Sequence, residues 1–82
     1  MANLSKVKVT NIEGQIEVID MSKTIGNILY TQGKDVDICE CGKKIYYGES
    51  VELSAEQKEF IMASIANMPY ILRSAIEQEL KQ

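Results

Sequence analysis

Two cysteines one residue apart, in Cys39-Glu40-Cys41-Gly42, are where this sequence comes nearest to site chemistry. Two thiolates beside a flexible glycine can begin a zinc site, but zinc takes four protein ligands, or three and a water. The chain has no further cysteine and no histidine. A complete site would need carboxylates, or two more thiolates from a second subunit. On a helix, a spacing of two also sends the sulfurs to nearly opposite faces, and a Cys-x-Cys disulfide closes a strained small ring. The favoured reading is structural, with Cys41 a small core residue and Cys39 a partly exposed one. No cofactor is expected. Cys39 and Cys41 remain metal candidates only in an alternative reading, a zinc protein whose site lies at an oligomer interface.

Downstream, Lys43-Lys44 and Tyr46-Tyr47 mix basic and aromatic side chains, as single-stranded nucleic-acid surfaces do. Four such residues in an acidic chain are a weak signal, and packing of Tyr46 with solvated lysines explains them as well. Without histidine there is no His-based acid–base catalysis and no Ser-His or Cys-His nucleophile pair. The five glycines are scattered, so no phosphate loop is present. Glu49, Glu52, Glu56 and Glu59 fall on solvent positions without a calcium-loop spacing. A chain of 82 residues hardly encloses a pocket of the usual ~300 Å³ or more. The expectation is that the protein is not an enzyme and has no small-molecule substrate.

The elements that would position these residues are led by the last third of the chain. Ser54-Ala-Glu-Gln57 has the form of a capping box opening a helix over 55–67, with Phe60, Ile61, Ser64, Ile65 and Met68 on one face. Pro69 ends that helix and suits the start of another over 69–81, where Leu72, Ala75, Ile76 and Leu80 form a stripe. Two amphipathic helices joined this closely should form an αα-hairpin.

Upstream, Lys6-Val-Lys-Val-Thr10 and Gln15-Ile-Glu-Val18 alternate strictly around Asn11-Ile-Glu-Gly14, which predicts a β-hairpin over 6–20. A four-residue loop would set Val9 against Ile16 and Lys8 against Glu17, gathering the apolar residues on one face. Ser22 can cap a helix over 23–32 that carries Ile25, Ile28 and Leu29 and stops at Gly33. Asp35 can cap another over 35–47, with Ile38, Cys41 and Ile45 inward, although two short strands around Gly42 also fit those residues. Ser50 to Leu53 is extended and a candidate third strand. Period two giving way to helical period near Ser22 makes the chain an α+β domain, 1–82, with an N-terminal antiparallel hairpin packed on three or four helices.

Bulk properties narrow the partners. A 45% hydrophobic content is enough for a core. Nine basic against twelve acidic residues give a net charge of −3, with the signs interspersed. That is no footprint for a phosphate backbone and no polybasic membrane patch. No apolar run approaches the ~20 residues of a membrane span, and the N-terminus has no apolar h-region, so a secretory signal is not expected. A cytoplasmic protein with reduced cysteines is the expectation.

In their order, the hairpin, Thr24-Ile-Gly-Asn-Ile-Leu-Tyr30, Val51-Glu-Leu-Ser-Ala-Glu-Gln57 and Pro69-Tyr-Ile-Leu72 resemble small uncharacterised proteins encoded in bacterial prophages and related mobile elements. The resemblance covers most of the chain and implies a structural or assembly accessory, with no catalytic or binding residue attached. Size points the same way, because a domain this small has little core and gains by association. The expected function is a protein-interaction or assembly module whose partner is a protein, a second copy of itself included. Its surface would be Met68, Tyr70 and Ile71, residue types enriched in interfaces or left over beside the apolar stripe. A nucleic-acid regulator using the last two helices as a helix-turn-helix is the remaining alternative. It is disfavoured because Arg73 and Lys81 are the only cations on the would-be recognition helix.

Overall fold

The computed structural model describes residues 1–81. Its elements are β1 (Val7–Thr10), β2 (Ile16–Ile19), α1 (Ser22–Gln32), α2 (Val36–Tyr46), α3 (Ala55–Ser64) and α4 (Tyr70–Leu80). The class is α+β, an antiparallel two-stranded hairpin followed by four helices. The stretch that could have been two strands around Gly42 is helical, and Asp35 caps it by accepting from the Ile38 N–H at 2.8 Å.

The hairpin forms, but its register corrects the expected one. Val9 faces Glu17, Lys8 faces Val18 and Thr10 faces Ile16, so the loop has three residues. The cause is the chemistry of the turn. The Gly14 N–H donates to the Asn11 carbonyl, and the Asn11 N–H donates to that of Gln15, at 2.8 Å. The Asn11 side chain accepts from the backbone N–H groups of Glu13 and Gln15. Gly14 takes φ +84°, the left-handed position that closes a three-residue loop at no cost to glycine. Three backbone N–H groups satisfied at one Asn outweigh the gain from pairing Val9 with Ile16. The slip by one residue turns the alternate side chains of β2 over. Ile16 and Val18 are left 66% and 62% exposed, while Val7 and Val9 stay buried on β1. No Lys8 to Glu17 cross-strand pair forms.

α1 starts one residue earlier than expected, and Ser22 is not its cap. Ser22 is buried in the first turn, and the Asp20 carboxylate accepts from both its backbone N–H and its hydroxyl. Those two bonds hold the Asp20 carboxyl below the usual carboxylate range. At α3 the capping box is present in full: Gln57 N–H donates to Ser54 Oγ at 3.2 Å, and Ser54 N–H to Gln57 Oε1 at 3.0 Å. α3 ends at Ser64, before Pro69 could interrupt it, and Pro69 stands just outside α4 with its carbonyl accepting from Arg73 N–H.

Two features set the packing. α4 lies against β1, burying Ala75, Ile76 and Leu80 in the cluster that holds Val7, Val9, Ile61 and Ile65. α1 and α2 pack antiparallel at backbone distance. A Cβ on Gly26 would stand 2.6 Å from Tyr46 N and 2.7 Å from the Gly42 carbonyl, and one on Gly42 would stand 2.8 Å from the Gly26 carbonyl and Tyr30 N. α3 and α4 touch only sparsely by comparison. Val51 does not extend the hairpin. It pairs with Ala2 in an isolated antiparallel bridge, which draws Ala2 and Leu4 into the core. The arm is fixed further where Asn3 N–H donates to Glu79 Oε2 at 3.0 Å.

Candidate interaction surface

The two cysteines diverge, as their spacing on α2 requires. Cys41 is buried against the core. Burial pushes its thiol above the ordinary value, with Lys44 pulling weakly the other way. Cys39 is half-buried on the other side, its Sγ 3.5 Å from the Tyr30 carbonyl. Among the described residues, no three His, Cys, Asp or Glu side chains gather as a metal site would require. Nor does any buried side-chain nitrogen or oxygen lack a hydrogen-bond partner. The acidic residues Glu49, Glu52, Glu56 and Glu59 are all exposed. No described helix is long and apolar enough to cross a membrane.

At the corner between α3 and α4, the geometry is more specific. Ile65 closes α3, its N–H reaching back to Ile61, and the Met68 N–H turns the chain by donating to the Ile65 carbonyl at 2.9 Å. Pro69, extended at ψ 147°, then aims the first turn of α4 outward. Met68 is half-buried, Tyr70 is 72% exposed and Ile71 56%. Arg73 braces the group: its Nε donates to the Met68 carbonyl at 2.9 Å, and its guanidinium lies 5.8 Å from the centre of the Tyr70 ring. Its guanidinium is thereby engaged at the corner. Lys81, just past the end of α4, lies 3.9 Å from Glu77. The three residues expected on sequence grounds thus lie together on one corner, and Leu72, Ala75 and Ile76 of the same helix turn inward.

Other exposed apolar groups went unread in the sequence. Ile16 and Val18 emerge on the outer face of the hairpin because of its register, with Ile12 fully exposed at the tip. Tyr30, Tyr46 and Tyr47 gather around a groove of about 370 Å³ between α1 and α2, which Asn27, Lys43, Gly26 and Gly42 complete. The sequence pairs Tyr46 with Tyr47 but does not join them to Tyr30 or the glycines. The signal lay in Gly26 and Gly42: one glycine on each of two consecutive amphipathic helices, both on the apolar side, marks a close crossing. Comparison of the chain with protein-family models, with curated proteins and with solved structures finds no match.

Proposed function

We propose that this protein is a small non-enzymatic interaction or assembly module that self-associates through the corner formed by Met68, Tyr70 and Ile71. The observation that carries this reading is the exposure of Tyr70 and Ile71 on a corner where Arg73 donates to the Met68 carbonyl and lies over the Tyr70 ring. Large apolar side chains held in place before binding lose little conformational freedom when a partner covers them. Arg73 braces Met68 and Tyr70 from within the chain, and Tyr, Met and Arg are the types that interface centres favour. An accessory role in assembly is also what the likeness to prophage-encoded proteins implies.

Light scattering or sedimentation across a concentration series tests it. The expected mass rises above the 9.2 kDa of one chain as concentration increases, and Ile71→Asp returns the protein to that value. A monomer at every concentration, with Ile71→Asp changing neither solubility nor partner capture, would remove the support.

A further inference from the structure

We infer that the groove between α1 and α2 is a docking site for an extended, proline-rich segment of a partner protein. The site is separate from the Tyr70 and Ile71 corner and does not depend on self-association.

The groove exists because its floor has no side chains. Gly26 and Gly42 bring the two helices to backbone contact, so the walls rise from their flanks: Tyr30 and Asn27 on α1, Lys43 and Tyr46 on α2, and Tyr47 just beyond. All three tyrosines are exposed. Tyr46 and Tyr47 fix each other edge to face, with ring centres 5.3 Å apart and planes at 79°. The groove continues into a shallower hollow that shares Tyr30 and Lys43 and runs out to Gly33 and Val36. The run follows α2, whose 11 residues span about 16 Å. A polyproline II chain covers that length in about five residues.

Charge and hydrogen bonding choose among the ligands that stack on phenol rings. A single nucleic-acid strand needs a basic track beside the aromatic rings. Along the groove and its continuation, Lys34 and Lys43 are matched by Asp35 and Glu40, and Lys43 already lies 3.7 Å from Glu40. The site is therefore neutral, in a chain of net charge −3. The polar side chains that line it can each donate a hydrogen bond: three phenol hydroxyls, the Asn27 amide and the Lys43 ammonium, the hydroxyls and the amide also being able to accept. A ligand that matches these donors on a neutral, aromatic-walled floor is apolar, uncharged and rich in free carbonyl acceptors. Proline-rich backbone in the polyproline II conformation has those properties, and it arrives with little entropy left to lose.

The test is titration of the ¹⁵N-labelled protein with a synthetic ten-residue polyproline peptide, followed by amide chemical shifts. Saturable shifts at Asn27, Tyr30, Gly42 and Lys43 are expected. Tyr30→Ala and Tyr47→Ala, both at exposed positions and each checked for a folded spectrum, should each weaken binding about threefold to tenfold. Light scattering on the same variants should show self-association unchanged. Absence of saturable shifts at the groove overturns the proposal, as do variants that bind as tightly as the parent. Shifts produced there by a ten-residue oligothymidylate and not by the peptide overturn it in favour of a nucleic-acid ligand. A protein that takes the peptide but stays monomeric supports the groove and sinks only the corner.

Discussion

Helices α1 and α2 meet backbone to backbone at Gly26 and Gly42, whereas α3 and α4, of nearly the same length, touch only sparsely and share a core through Ile61, Ile65, Ile76 and Leu80. The sequence pattern is amphipathic in both pairs, so pattern does not decide between them. It sets which face turns inward. The size of the residue at the crossing sets how close the partner comes. With nothing but hydrogen at its crossing, the first pair leaves its aromatic side chains on the flanks, where they wall a groove. The second pair instead turns long aliphatic side chains into the core that it shares with β1. The first should therefore be injured by adding atoms and the second by removing them.

The largest expected effect tests the second half of that contrast. Ile76 is fully buried, and Ile76→Ala should cost about 2–5 kcal/mol in urea unfolding through lost burial and the cavity left behind. Ile71→Ala, five residues earlier on the same helix, should stay within about 0.5 kcal/mol of the parent. Equal costs at the two positions would mean that α4 is not seated as described.

Gly26→Ala tests the first half. Alanine gains about 1 kcal/mol in helix propensity, yet its methyl would meet the backbone of Tyr46 and Gly42, which cannot rotate away. Net destabilisation of about 2 kcal/mol is expected, in the range of core overpacking. A stabilised Gly26→Ala protein would break the comparison, since the helices would have to stand further apart than they do.

The helix entries sharpen it further. Ser54→Ala removes half of the capping box of α3 and should cost about 1 kcal/mol, read from the same unfolding midpoint. At the entry to α1 the effect is smaller and depends on pH. Asp20 has its carboxyl lowered in the folded state, chiefly by the Ser22 hydroxyl and then by the Ser22 N–H. A depressed folded value means stability that is present above the ordinary carboxylate range and lost as the pH falls through the lowered value. Asp20→Asn should thus be slightly less stable than the parent near neutrality, with the difference vanishing in acid. A difference that persists unchanged at low pH would assign it to packing and not to charge.

Much of this was legible in the residues. The inward faces of α2 and α4, the capping box at Ser54 and the start of α4 behind Pro69 follow from period and cap chemistry, which are local, whereas α3 stops at Ser64, short of the proline expected to end it. The hairpin was legible as an element but not in register. Both phases of Ile16-Glu-Val-Ile19 place an aliphatic residue inward, so the strand did not choose, and Asn11 with Gly14 did. The arm could not be read at all. Ala2 and Leu4 have no periodic neighbours, and their burial depends on Val51 and Glu79, which are far along the chain. Of the surfaces, the corner at Tyr70 and Ile71 followed from a stripe wider than one neighbour needs. The tyrosine groove required knowing that Gly26 and Gly42 oppose one another, a fact of tertiary structure.

That arm has a consequence for how the protein is made. Asn3 finds its partner in Glu79, 76 residues later, and β1 finds its cover in α4. At synthesis rates of roughly 5–20 residues per second, the first strand waits about 4–15 s for the helix that buries it. α1 and α2 are close neighbours in sequence and can pair while the chain is still growing. Until α4 is made, Val7 and Val9 lack the helix that packs on them in the folded chain. α4 is therefore the element whose arrival completes the cover of the hairpin.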